Sequence, residues 1–512
     1  YHILNIMIFL IFVVGVVVSL SIHAVEDTIG YPAIGFGVKR LKDQGHKLKN
    51  MISGNGATSC DNVVQLWYSG AVIDNFAAVE SQQKWYGLGQ RYWINKQFWG
   101  GVGFPIFVFI GGEGSESCTR LTSKMYIYDL AEKHQALLVD LEHRFYGQSF
   151  PYMDMSTDSL QYLSADQALA DLARFIGFLK QDLSTLSSKV VTVGGSYPGN
   201  LAAWFRLKYP SVTAGSIASS APVTAQTNFK EYMDVVGQSL IHFSGQKCFD
   251  AFTLAAEIIA NLALQGLGSG GMNLLQNDFN TCSPITSDLD LAVLLSDLMG
   301  NVQGTVQYNN EHTNVMNITD ICSVMTATSD SYSQFVALQA LYRTANGQTC
   351  EDASWADTVA YLAATQNDPT NNARPWTYQT CNEFGYFQTA DSKNQPFKSW
   401  KWLDLDFSRA ICFAAFDGWK SDPQVDWVNQ KFGDVHIAGT NIVFPSGTID
   451  PWHALGVTNS SSVLLPQRSE QAVFIEGTAH CNDLYAANAD TDPVSLSLAR
   501  ETIAKQLNSW LK

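Results

Sequence analysis

The sequence predicts an α/β protein: a mostly parallel sheet whose chain is interrupted by a long helical segment tied by disulfides. Three observations predict it. Continuous, not alternating, apolar runs occur at 104–114, 136–147 and 189–196, as in strands buried on both faces. A run with helical spacing, 164–183, separates the second from the third. From about residue 225 to 435 that alternation stops and six of the nine cysteines collect, and after 436 it resumes.

The elements follow in chain order. Residues 1–24, with an apolar run from Ile6 to Leu20 followed by small and polar residues ending at Ala24, are expected to be a secretory signal peptide. The run is short for a membrane span, so no stable membrane insertion is expected once it is removed. Residues 25–55, with the basic stretch VKRLKDQGHKLK, form an N-terminal extension or propeptide. Residues 56–224 are the first part of the α/β core. Within them FPIFVFIGGEG (104–114) is a strand ending in glycines, and ALLVDLEHRFYG (136–147) is another. SADQALADLARFIGFLKQDL (164–183) is a helix that Ser164 can cap, and KVVTVGGS (189–196) is the next strand. AGSIASSAPV (214–223) ends the series. Residues 225–435, helix-prone and rich in Asn, Gln, Asp and Ser, read as an inserted helical domain. Residues 436–512 complete the core with two strands, in NIVFPSGTIDPW and QAVFIEGTAH, and a final amphipathic helix at 494–511.

The chemistry centres on VVTVGGSYPGNLAAWF, 190–205, a strand, a tight turn and a helix with Ser196 at the tip. This is the layout of a nucleophile elbow, usually G-x-S-x-G, except that Pro198 holds the last position and a glycine follows at Gly199. A proline fits the first helical turn, where an N–H has no intrahelical partner. A serine hydroxyl needs a base, and the base needs an orienting group. In α/β-hydrolases these come in the order Ser, Asp or Glu, His. After residue 436 only His453 and His480 remain, and His453 shares a turn with Asp450. The candidate triad is therefore Ser196 as nucleophile, His480 as general acid and base, and Asp450 as its orienting carboxylate. A serine in a glycine-rich turn is by itself only a turn; the joint occurrence in order, each residue just past an apolar strand, carries the assignment. The N–H of Tyr197 is the first oxyanion donor. The second is expected in the loop Gly111-Gly112-Glu113-Gly114, with Gly112 the candidate. His143 precedes the serine and breaks the order. Glu142 and Arg144 read as a structural ion pair or as support for the site, and Glu113 as support or a substrate contact.

Bulk properties narrow the function. Of 512 residues, 46% are hydrophobic and 15% charged, which fits a well-buried globular chain. A net charge of -16 disfavours nucleic acid and anionic membranes as partners. Cysteine usage fits an oxidising compartment. Sequons at Asn317 and Asn459 are candidate glycosylation sites.

The words FIGGEGS (109–115), LEHRFYGQS (141–149), GGSYPGNLAAWFRLKYP (194–210), SSAPV (219–223), FKEYMDVV (229–236), DPWHALGVT (450–458) and AHCNDLY (479–485) span nearly the whole mature chain. In these the sequence resembles the serine carboxypeptidase S28 family, which includes lysosomal Pro-Xaa carboxypeptidase, dipeptidyl peptidase II and thymus-specific serine protease. GGEGS, LEHRFYG and the His480-Cys481 pair look most like the thymus-specific branch. The resemblance implies an α/β-hydrolase core with an inserted helical domain, the triad Ser196, Asp450 and His480, and peptide substrates often cleaved after proline in an acidic compartment. It also implies the disulfides Cys248–Cys322, Cys282–Cys350 and Cys381–Cys412. Two positions depart from the family pattern: Pro198 stands where a small residue, often Gly, is usual, and Asn75 where His is frequent.

The expectation is a secreted or lysosomal/endosomal serine peptidase that uses no metal or organic cofactor and trims short peptides. A homodimer is left open, as is the choice between carboxypeptidase and dipeptidyl peptidase. An ester hydrolase on the same fold and an inactive secreted binding protein are the competing expectations.

Overall fold

A computed structural model describes residues 60–310, 316–459 and 469–512. The expected signal peptide and N-terminal extension lie outside the described residues. An eight-stranded sheet runs in the order β1-β2-β4-β3-β5-β6-β9-β10. Its strands are β1 (Val63–Tyr68), β2 (Gln90–Asn95), β3 (Ile106–Ile110), β4 (Leu137–Leu141), β5 (Val190–Gly195), β6 (Gly215–Ser219), β9 (Ile442–Gly447) and β10 (Glu470–Ile475). From β4 to β10 every neighbouring pair is parallel, while β1 and β2 form an antiparallel edge. This is the α/β-hydrolase fold.

The unbroken apolar runs have a direct physical cause. Side chains of a strand alternate between the two faces of a sheet. In β3, Ile106, Val108 and Ile110 enter the larger core, and Phe107 and Phe109 enter a second core on the other face. β5 divides in the same way, Val190 to one side and Val191 and Val193 to the other. Both faces are dry, so no position can be polar without a partner. The helices Ala165–Asp182 and Tyr197–Lys208 cover the first face, and Tyr126–His134 and Val494–Leu511 the second. Ser164 caps the helix Ala165–Asp182 by accepting the N–H of Gln167 at 3.3 Å.

Between β6 and β9 the chain is mostly helical, from Glu231–Ser244 to Val425–Phe432. It also contains β7 (Gln226–Asn228) and β8 (Gly385–Phe387), a short parallel pair, and a π-helical turn at Thr380–Phe384. Its buried residues, Phe252, Leu298 and Trp400 among them, continue the core of the first sheet face. Disulfides join Cys60 to Cys118, Cys248 to Cys322, Cys282 to Cys350 and Cys381 to Cys412. Cys481 is buried outside these four bonds. Among the described residues no helix is long and apolar enough to cross a membrane.

Candidate active site

Ser196 stands at the end of β5 with φ 63° and ψ -132°, on the left-handed side of backbone space that a residue with a Cβ rarely adopts. The turn closes because its flanks have no side chain. A Cβ on Gly194 would lie 2.1 Å from the carbonyl oxygen of Pro198, and one on Gly199 would lie 2.6 Å from that of Ser219. Pro198 is the second residue of the helix Tyr197–Lys208. Its missing N–H is one of those that have no acceptor in a first turn, so the helix loses no bond. Its ring has a further contact: a Cβ on Gly112 would lie 2.3 Å from Pro198 Cγ. The glycine loop after β3 therefore abuts the elbow. The N–H of Tyr197, at the head of the helix, has no intrahelical acceptor either.

Asp450 and His480 follow β9 and β10, whose ends are knitted together. Thr448 donates to the carbonyl of Ile475 at 3.0 Å, and Ile449 to that of Thr478 at 3.2 Å. Gly477 donates to Thr448 Oγ1 at 2.8 Å. The result is an acid–base pair: His480 Nδ1 donates to Asp450 Oδ1 at 2.9 Å, with both side chains fully buried. Asp450 Oδ1 also accepts the N–H of Trp452 at 3.0 Å. Hydrogen bonds string these loops back to the elbow. Ser196 donates its N–H to the carbonyl of Ser219 at 2.9 Å, and Ser220 to that of Pro445 at 2.7 Å. Ser220 Oγ accepts the N–H of Cys481, the residue after His480, at 2.9 Å. The Ser196 hydroxyl is buried and makes no hydrogen bond.

The other histidines have different surroundings. His453 is half-buried with its ring 5.1 Å from that of Phe474, and desolvation lowers its pKa. His143 is held neutral: burial lowers its pKa to about 3. Its Nδ1 lies 2.8 Å from the carbonyl of Arg144, so Nδ1 carries the proton and Nε2, 3.0 Å from Tyr197 Oη, accepts. Tyr197 Oη in turn accepts from Gln379 Nε2 at 3.0 Å, and Tyr146 donates to Gln379 Oε1 at 2.6 Å. This buried chain ties the residue after the nucleophile to the inserted segment.

Glu142 and Arg144 are not paired with each other, which corrects one of the two expectations for them. Glu142 pairs with Arg91 and also accepts from Ser149 Oγ at 2.7 Å and the N–H of Gln148 at 3.0 Å. Arg144 forms a fork with Asp171, at 2.6 and 2.7 Å, on the flank of the helix Ala165–Asp182. Asn75 joins that fork through Nδ2 to Asp171 Oδ1 at 2.7 Å. Glu113 is buried, neither carboxylate oxygen bonds another residue, and burial pushes its pKa up to about 8. Asp483, which accepts the Ser219 hydroxyl at 2.5 Å, is pushed up to about 6 by burial. Asn317 caps the helix Ile318–Met325 and Asn459 is exposed.

Sequence reasoning missed Gln379, Trp452 and Gln307 as neighbours of this site. Gln307 ends the helix Asp288–Gln307, and its carbonyl accepts the N–H of His480 at 3.0 Å. No sequence signal distinguishes such a glutamine from the many others in the inserted segment.

Comparison with known proteins gives matches over most of the chain. The family model described as serine carboxypeptidase S28 matches residues 71–503. Thymus-specific serine protease of Homo sapiens is 34% identical over 436 residues, 83% of this chain and 83% of that protein. Lysosomal Pro-X carboxypeptidase of Homo sapiens is 30% identical over 467 residues, 86% of this chain and 90% of that protein. Among solved structures, a proline iminopeptidase of Mycobacterium smegmatis matches with a TM-score of 0.35 at 11% identity, covering 82% of this chain and 96% of that one.

Proposed function

The chain belongs to the serine carboxypeptidase S28 family and is a serine peptidase, and on that premise we propose that Ser196, His480 and Asp450 are its catalytic triad and that it trims short peptides, with a preference for cleavage after proline. The observation that carries the assignment is the pairing of a strained serine at the end of β5 with a buried His480–Asp450 hydrogen bond at the ends of β10 and β9.

The chemistry follows from these atoms. Ser196 Oγ attacks the scissile carbonyl while His480 Nε2 takes its proton. Asp450, bonded to Nδ1, fixes the ring and stabilises the imidazolium. The N–H groups of Tyr197 and Gly112 receive the oxyanion. The C–N bond breaks as the imidazolium returns the proton to the leaving amine. Water then enters, His480 takes a proton from it as its oxygen attacks the acyl carbon, and the bond to Ser196 Oγ breaks as the imidazolium returns the proton to Oγ.

Burial of all three triad residues beside the inserted segment supports small substrates. The proline preference rests on the name of the Pro-X carboxypeptidase relative. Four disulfides and the lysosomal relatives support a secreted or lysosomal setting. The test is a digest of a defined peptide mixture at acidic and neutral pH, read by mass spectrometry, with Ser196→Ala as control. Products that require Ser196 are expected, and the trimmed end and the residue before the cut identify the exopeptidase class. Identical spectra from wild type and Ser196→Ala would reject peptide cleavage by this triad, and a short-chain ester would then be the substrate to try.

A further inference from the structure

We propose that Gln307, from the inserted helical segment, is a positioning residue that clamps the acid–base pair of the triad from both ends. The proposal rests on the triad assignment above.

Gln307 is fully buried at the end of the helix Asp288–Gln307. Its backbone carbonyl accepts the N–H of His480 at 3.0 Å. Its side-chain Oε1 accepts Trp452 Nε1 at 3.0 Å and the hydroxyl of Tyr232 at 2.8 Å. Trp452 donates its own backbone N–H to Asp450 Oδ1, the oxygen that holds His480 Nδ1. The contacts close a ring: His480 to Asp450 through the imidazole, Asp450 to Trp452 through the backbone, Trp452 to Gln307 through the indole, and Gln307 to His480 through the main chain.

The ring has a physical consequence. The loops after β9 and β10 are irregular, and each carries one half of a proton-relay pair that must hold its geometry to a fraction of an ångström. Besides each other they are tied to the end of β6, through Ser220 Oγ to the N–H of Cys481 and the Ser219 hydroxyl to Asp483. Gln307 gives both loops a common anchor on a long buried helix, where both partners are fully desolvated and a hydrogen bond is stronger. A glutamine suits the position because one carbonyl oxygen can accept two donors at once. Tyr232, on the helix Glu231–Ser244, fills the second place and orients the amide. The inserted segment is then part of the catalytic apparatus and not only its cover.

The test uses a fluorophosphonate probe, which phosphonylates the nucleophile, an O–P bond forming as fluoride leaves and His480 takes the serine proton, without needing the natural substrate. Gln307→Met keeps the length of the side chain and removes Oε1, the acceptor of both Trp452 and Tyr232, while the backbone carbonyl that holds the His480 N–H stays. Its maximal inactivation rate is expected to fall about tenfold or more, with the half-saturating probe concentration changed less than about twofold, as for a group that acts on the transition state alone. Gln307→Glu keeps an acceptor oxygen and is expected to recover most of the rate at acidic pH, where the new carboxyl is neutral. Trp452→Phe cuts the same ring from the other side and serves if Gln307→Met does not fold. The double variant is expected to lose no more than the worse single one, because the ring is already open. Wild-type inactivation rate and pH profile in folded Gln307→Met or Trp452→Phe would overturn the clamp, and so would additive losses. Ser196→Ala separates the two levels. If it still labels, the triad assignment fails; if it is silent while Gln307→Met labels normally, only the clamp fails.

Discussion

Pro198 and Gly112 are the residues on which the elbow's local geometry turns. The proline ring occupies the space that a side chain at Gly112 would need, with only 2.3 Å to an added Cβ. Gly112→Ala is therefore expected to push the loop and the elbow apart and to lower the fluorophosphonate labelling rate by about tenfold or more, the scale of a displaced oxyanion donor. Pro198→Gly added to it should restore much of the rate by making room. A double variant no faster than Gly112→Ala would mean that the Pro198 contact is not what excludes a side chain there. Pro198→Gly alone should keep the activity and cost roughly 1 kcal/mol of stability through the freer unfolded chain, measured by denaturant unfolding. At this scale the candidate positions of Ser196, Asp450 and His480 could be read from the sequence because each follows an apolar strand in the order the proposed chemistry needs. Gln307 and Gln379 were not. Their roles come from where distant helices end, and a single amide in a polar-rich segment carries no period, motif or charge to mark it.

The π-helical turn Thr380–Phe384 is one of the elements through which the inserted segment grips the core. Gln379, just before it, reaches Tyr197 Oη, and Glu383 within it accepts the N–H of Ala165 on both oxygens, at 3.2 and 3.1 Å. Such turns often mark functional positions within helices. Cys381, in the same turn, is bonded to Cys412 of the helix Leu405–Ala415. With a sequence separation of 31 residues, loss of this bond in Cys381→Ala/Cys412→Ala should cost about 3–4 kcal/mol by loop entropy. An unchanged denaturation midpoint would show that the turn holds without its bond. The parallel strands were readable in sequence because burial on two faces leaves an unbroken apolar run. β1 and β2 were not. β2 reads QRYWIN yet is buried throughout, because Gln90 bonds the carbonyl of Glu142 at 2.8 Å, Arg91 bonds its carboxylate, and Asn95 bonds the carbonyl of Leu121 at 2.9 Å. Polar residues satisfied by distant partners look like surface until those partners are known. β1, VVQLWY, is apolar in all but Gln65 yet largely exposed at the sheet edge, so its short apolar run did not mark a strand buried on two faces.

For the whole molecule, the buried titrating groups set the pH at which the fold is most stable. Burial pushes Glu113 and Glu383 up from 4.5 to about 8, and Asp483 up from 3.8 to about 6. A carboxyl with a raised folded pKa binds its proton more tightly in the native state, so its contribution declines as pH rises from the unfolded to the folded value. Between pH 6.5 and 8 the two glutamates keep protons that the unfolded chain has released. Stability should therefore fall with rising pH, by about 1.4 kcal/mol per pH unit for each proton held. His143, lowered from 6.5 to about 3, and His453, also lowered, act in the other direction: below pH 6.5 the unfolded chain takes up protons that the native rings refuse. Below 6.5 His143 opposes the glutamates, with His453 acting in the same direction, while Asp483 and the buried Asp140 and Glu142, whose pKa burial also raises, tip the balance towards acid. Below 4.5 the unfolded glutamates are protonated as well, and His143, neutral in the fold down to about 3, is left to destabilise it. The optimum is thus mildly acidic, which suits the proposed lysosomal setting. Thermal melts in matched buffers should give a higher Tm at pH 5 than at pH 8, and Glu113→Gln/Glu383→Gln should narrow that gap. A Tm that is flat or rises towards pH 8 would mean that these carboxyls are ionised in the native protein, with solvent or counter-charge reaching them.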